Sequence, residues 1–122
     1  MRKKLKVWSS SNADIKFSHH IRDRDGGRCF FCGKQGSQNS HYWGRGKSAT
    51  RYEEDNCDYV CGGCHMRHEG NKQGLYREMK IKQLGQKAYD ELKKMAYQSK
   101  MTRREAIIKL MGLLTPLNQI KI

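Results

Sequence analysis

The chain is short of apolar and of acidic residues. Only 36% of its 122 residues are hydrophobic, and its mean hydropathy is −0.95. No apolar run approaches the roughly 20 residues of a membrane span. The N-terminal Met-Arg-Lys-Lys-Leu-Lys-Val-Trp has no apolar stretch behind it, so it does not read as a secretory signal. No membrane partner is expected, and a reducing, cytoplasmic compartment is. So little apolar material makes a thin core, and a small chain then gains from a structural metal as a staple. The 12 acidic residues face 25 Lys and Arg, a formal net charge of +13. This deficit of negative charge points to a polyanionic partner, with nucleic acid first. Internal repeats and low-complexity segments are lacking.

Cysteine, by contrast, is present in a pattern. Cys29-Phe-Phe-Cys32 and Cys61-Gly-Gly-Cys64 are two Cys-x-x-Cys knuckles separated by 28 residues. Two such knuckles supply four thiolates to one tetrahedral zinc, at about 2.3 Å from the metal. The gap is longer than a simple zinc ribbon needs, so something is built into it. The fifth cysteine, Cys57, reads as a buried strand residue.

The punctuation of the chain predicts its elements. Residues 1–13, with Arg2, Lys3, Lys4 and Lys6, read as a basic flexible arm able to trail along phosphates or simply to solubilise. Residues 14–25 read as a short helix carrying Ile15 and Ile21, closed by Gly26-Gly27, with His19 and His20 on its surface or between helices. Residues 38–43 and 56–60 read as two strands. A Gly-rich basic link joins them, and a helix follows at about 62–69. Further helices are marked by Leu75, Tyr76 and Met79, then by Tyr89, Leu92 and Ala96, with Gly85 as the stop between them. Thr102-Arg-Arg-Glu105 fits a capping box, and Ile107, Leu110, Met111 and Leu114 continue a stripe that Pro116 ends.

His41, Asn56 and His65 sit between and beside the knuckles. Hydrolysis of a phosphodiester needs a base for the attacking water and a cation for the departing 3′ oxygen. A histidine suits the base, and a divalent ion such as Mg²⁺ or Mn²⁺ supplies Lewis acidity with few protein ligands. A hairpin packed on the helix would bring the three residues together. His41 is then the general base, Asn56 positions it or its strand, and His65 is the ligand of the catalytic ion. Residue i+4 of a helix faces the same side as residue i, so Glu69 is the better partner for His65, with His68 and Asn71 as further candidates.

These motifs resemble a known family. Arg22-Asp-Arg-Asp-Gly-Gly-Arg-Cys-Phe-Phe-Cys-Gly33 looks like the opening of a zinc-containing HNH endonuclease. Ser40-His-Tyr-Trp-Gly-Arg45, Ala49-Thr-Arg-Tyr-Glu-Glu-Asp-Asn-Cys57, Cys61-Gly-Gly-Cys-His65 and Lys100-Met-Thr-Arg-Arg104 resemble the phage NinG (Rap) group of recombination nucleases. The metal core is also similar to that of phage T4 endonuclease VII. The resemblance covers residues 20–110 and implies a nuclease acting on branched DNA, with Holliday junctions and D-loops as the main candidates. It places the protein in a bacterial host cytoplasm, with a recombinase or single-strand-binding protein as a possible partner. Ser40 stands where many HNH enzymes have a metal-binding Asp, which leaves the first metal ligand unnamed. The NinG-like group itself tends to lack that Asp.

Arg45, Lys47 and Arg51 lie on the link next to His41, where they would grip phosphates, an arginine bidentately. Tyr42 and Trp43 would either stack on unpaired bases or bury against the helix. The last apolar stripe would either pair two chains into a homodimer or pack on its own domain. The expected fold is a small α+β zinc-stapled domain. It has a ββα-metal (HNH) core at 14–84, opened by the N-terminal helix, and a C-terminal helical extension at 85–122. Three functions stay open: a structure-selective endonuclease, a general HNH nicking enzyme of duplex DNA, and a non-catalytic zinc DNA-binding module.

Overall fold

The computed structural model describes residues 6–69 and 74–115. The basic residues Arg2, Lys3 and Lys4, the candidate Asn71 and the stop at Pro116 lie outside them. The described residues form a small α+β domain of six α-helices and one two-stranded sheet. No helix among them is long and apolar enough to cross a membrane.

Helix α1 spans Ser10–Arg24 and so begins inside the segment expected to be a free arm. The Ser9 hydroxyl caps it by accepting from the Asn12 amide at 3.2 Å. Ala13, Phe17 and Ile21 recur every four residues and bury one face. Ile15 lies off that face and is more than half exposed. Val7 and Trp8, just before the helix, pack against the same core.

Strand β1 (Gln38–His41) pairs antiparallel with β2 (Cys57–Val60), with His41 opposite Cys57, Ser40 opposite Asp58 and Asn39 opposite Tyr59. Both strands are a little shorter than the sequence suggests. The link between them also contains a helical turn, α2 (Ser48–Arg51), that the Gly-rich composition conceals. From β2 the chain turns directly into α3 (Gly62–His68), where the Cys61 sulfur caps the helix by accepting from the Cys64 amide at 3.4 Å.

Helices α4 (Leu75–Leu84), α5 (Gln86–Gln98) and α6 (Arg103–Leu114) follow. Gly85 separates α4 from α5 at φ +85°, a backbone state that side-chain-bearing residues rarely adopt. Thr102 and Glu105 cap α6 reciprocally, as their spacing predicts.

These last helices complete the core and are not an appendage. Ala106, Ile107 and Leu110 of α6 close one apolar cluster with the α1 face, Tyr52, Cys57 and Tyr59. Tyr89, Leu92 and Ala96 of α5 close a second with Tyr42, Trp43 and Tyr76. A two-stranded sheet has too little apolar area to stand alone, so helices from both ends of the chain must cover it. Of the two readings of the α6 stripe, packing on its own domain describes Ile107 and Leu110, with Met111 and Leu114 partly buried against the same cluster.

Under β1 lies a polar knot. Asp58 and Lys80 are both 0% exposed and pair at 2.9 Å. The Tyr76 hydroxyl donates its one proton to Asp58 at 2.9 Å and pairs with the Ser40 hydroxyl at 3.3 Å. Gln83 donates to the other Asp58 oxygen at 3.3 Å.

Candidate active site and metal centre

The two knuckles converge. The sulfurs of Cys29, Cys32, Cys61 and Cys64 lie within 4.8 Å of one another, and Cys32 and Cys61 are 3.8 Å apart. A tetrahedron with zinc–sulfur bonds of about 2.3 Å has edges of about 3.8 Å, so the donor set could hold a structural zinc. The thiols already perturb one another. Against the pull of burial, backbone hydrogen bonds at Cys32, Cys61 and Phe31 bring Cys29 down to about 6. Arg67 pulls Cys64 down too, but burial and the other three thiols outweigh it and lift Cys64 to about 11. Four sulfurs this close cannot all ionise without a cation between them. Phe31 and the stacked His68 ring, 4.3 Å apart, pack beside the cluster, so His68 is turned away from the catalytic side.

The helix that carries Cys64 also carries His65 to the edge of a cleft of about 600 Å³. One wall is α1, with Asp14, Ile15, Ser18 and His19. The floor is β1, with Asn39 and His41. The rim is Gly44 and Arg45, and the far wall is His65 and Glu69.

His41 is mostly buried, and its Nε2 has no partner among the described residues. The ring makes one hydrogen bond, to the backbone of Arg51. Only Nδ1 remains for that bond. Nδ1–H therefore donates to the Arg51 carbonyl, and Nε2 carries the free lone pair. Burial, then the positive charge of Arg45, push the imidazole down to about 4. It is a neutral acceptor across the physiological range.

Asn56 is fully buried and does not touch the His41 ring. Its Oδ1 accepts from the Trp43 amide at 2.8 Å, and its Nδ2 donates to the Trp43 and Thr50 carbonyls at 3.0 Å. It clamps the chain just after His41 and so holds the strand end from which His41 projects. The His65 Nδ1 is paired with Gln38 at 2.5 Å, which leaves Nε2 facing Glu69 at 3.8 Å. Both donors lie on the cleft wall, a set suited to a hard divalent ion that keeps several waters.

The basic residues separate into three kinds. Arg45 is at the rim, with a 60% exposed side chain that touches Asp14 at 2.6 Å. Arg51 is turned inward. It is 6% exposed, forks onto both Asp14 oxygens at 3.0 and 2.6 Å, and donates to the Arg45 carbonyl. Its expected grip on a phosphate is replaced by a structural bond between α1 and α2, because a buried guanidinium needs a carboxylate. Lys47 lies off the cleft, with its ammonium 4.0 Å above the Tyr97 ring. Tyr42 and Trp43 are both buried, which closes the base-stacking alternative for them.

A family model described as Bacteriophage Lambda NinG protein matches residues 1–114. The chain belongs to that family. No curated protein and no solved structure matches it. In this NinG-family chain, sequence reasoning missed Asp14 and Asn39, which line the cleft, and Gln38, which pairs with His65. Asn39 was legible, since residues two apart on a strand share a face and His41 was already chosen. Asp14 and Gln38 carry no local signal, because their roles depend on partners 37 and 27 residues away.

Proposed function

We propose that this NinG-family chain is a metal-dependent, structure-selective DNA endonuclease acting on branched recombination intermediates such as Holliday junctions and D-loops. The observation that carries the reading is the uncapped Nε2 of His41, a neutral acceptor at the floor of a cleft whose opposite wall presents His65 and Glu69. In this reading β1, β2 and α3 are a ββα-metal (HNH) core of the kind found in T4 endonuclease VII, and zinc on the four cysteines fixes α3 against the hairpin. His41 takes the proton of the attacking water. Mg²⁺ or Mn²⁺ on His65 and Glu69 would supply Lewis acidity to the scissile phosphate. Arg45 exchanges Asp14 for a phosphate oxygen, and the net charge of +13 draws the chain to DNA. Shape recognition is favoured over sequence recognition, since no sequence motif here resembles a major-groove reader. A recombinase or single-strand-binding protein would deliver the enzyme to its substrate.

The test compares cleavage of a labelled four-way junction with its linear duplex arms, with and without Mg²⁺, for wild type and His41→Ala. Mg²⁺-dependent cuts at the branch that vanish in the variant support the proposal. Equal cutting of both substrates would make the chain a general nicking enzyme. Tight binding without cutting would make it a non-catalytic zinc module.

A further inference from the structure

One residue of the cleft has no role in the scheme above. Asn39 lies on the same face of β1 as His41, two residues before it, and lines the same cleft. Its amide donates to the Cys57 thiol, which in turn donates to the Arg51 carbonyl at 3.8 Å. That carbonyl also receives the His41 Nδ1–H. The fifth cysteine thus joins the two residues through one shared acceptor, and burial keeps its thiol protonated. With Nδ2 committed to Cys57, the other end of the amide is settled. Asn39 Oδ1 points away from Cys57, is buried, and has no partner among the described residues.

The cleft floor therefore holds two unpartnered buried acceptors, Asn39 Oδ1 and His41 Nε2. Leaving one such atom unmatched costs about 1–3 kcal/mol, and a pair on one strand face calls for a common explanation. A cation shared by the two atoms does not provide it: both side chains are neutral, and the positive charges of Arg45 and Arg51 already bear on His41. A water does, because it has two hydrogens to give. Residues two apart on a strand are about 6–7 Å apart at Cα, and side chains that lean together bring their tips to the roughly 4.5–5 Å that two hydrogen bonds from one water span.

We infer that Asn39 is a catalytic residue that orients the nucleophile: one water donates a hydrogen to Asn39 Oδ1 and the other to His41 Nε2. This rests on the nuclease reading above. The two acceptors leave the water's lone pairs facing out toward Arg45, where a phosphate docks. In the reaction the O–H bond aimed at His41 breaks and its proton passes to Nε2. The oxygen forms the new bond to phosphorus, and the P–O3′ bond breaks. Its electron pair leaves with O3′, which takes a proton from solvent. Asn39 keeps the second hydrogen and fixes the angle of attack.

Two measurements test this. A high-resolution crystal structure of the wild type should show an ordered water within hydrogen-bond distance of both atoms, and a floor with no such shared water overturns the inference. Kinetics on a branched substrate separate orientation from scaffolding. Asn39→Ala should lower kcat about 100-fold with KM unchanged. Asn39→Asp keeps the acceptor but loses the donor to Cys57, and should stay within about 10-fold of wild type. If the Asp variant is as poor as the Ala variant, Asn39 serves to hold Cys57 and the inference fails. Melting temperature and zinc content of each variant exclude misfolding. If the wild type cuts no DNA at all, the nuclease reading has failed, and the crystallographic water alone then upholds or overturns the shared-water geometry.

Discussion

Ser40 and His41 are neighbours on one strand, and the fold treats their two faces oppositely. Ser40 points into the knot of Asp58, Lys80, Tyr76 and Gln83, where the buried polar groups meet partners on other elements. His41 and Asn39 point into the cleft, each with one buried atom left without a partner. The closed face is fully buried and satisfied, whereas the cleft face is half-buried and leaves two atoms unsatisfied. A satisfied buried network rigidifies a fold, whereas an unsatisfied acceptor at the bottom of a cleft is a place for something else to bind. The position where many HNH enzymes carry a metal-binding Asp is, in this chain, on the closed face. On the proposed nuclease reading, a catalytic ion would then be held by His65 and Glu69.

The largest blow to this contrast would strike both faces at once. Stripping zinc with a chelator should unfold the domain, because α3 and the first knuckle meet the hairpin through the cysteine cluster. A far-ultraviolet melting curve unchanged after complete zinc removal would refute that. His41→Ala strikes only the open face. Cleavage should fall by about 10²–10⁴ while the melting temperature holds or rises, since a buried unpaired acceptor is removed. Lys80→Met strikes only the closed face. It leaves Asp58 a buried charge without its cation and should cost about 3–5 kcal/mol in denaturant melts, while activity per folded molecule survives.

Acid should sharpen the comparison further. The native His41 titrates near 4 and the unfolded one near 6.5, so the unfolded chain binds the extra proton between those values. Stability is fully present above pH 6.5 and falls by about 3 kcal/mol as pH drops to 4. His41→Gln should remove that slope, and a slope that persists in the variant would assign it to other groups. The smallest expected effect belongs to Lys47, which lies outside the cleft over Tyr97. Lys47→Ala should weaken DNA binding by only a few fold and lower the salt slope by roughly one. A loss as large as that from Arg45→Ala would put Lys47 at the scissile phosphate after all.

Much of the scaffold was legible before the fold. The knuckles declare themselves by spacing, Gly85 by its place between two periodic segments, and Thr102 with Glu105 by a local motif whose two halves bond only each other. His41, Asn56 and His65 were singled out by their order relative to the knuckles, and the fold brings His41 and His65 to one cleft. Asn56 serves the backbone after His41 and not its ring. Arg51 was misread as surface because a basic residue in a Gly-rich link gives no hint of a carboxylate 37 positions earlier.

The sequence by itself determined the four-cysteine cluster, the helix boundaries set by caps and glycines, and the basic charge. Each of these rests on interactions between residues close in the chain or on a sum over all of it. Only the tertiary structure decided which polar side chains are satisfied. Asp14 finds Arg51, Asp58 finds Lys80 and His65 finds Gln38 across 22 to 37 residues, while Asn39 and His41 keep one atom each for the cleft. Hydrogen-bond satisfaction is a property of three-dimensional neighbours, and no spacing rule encodes it.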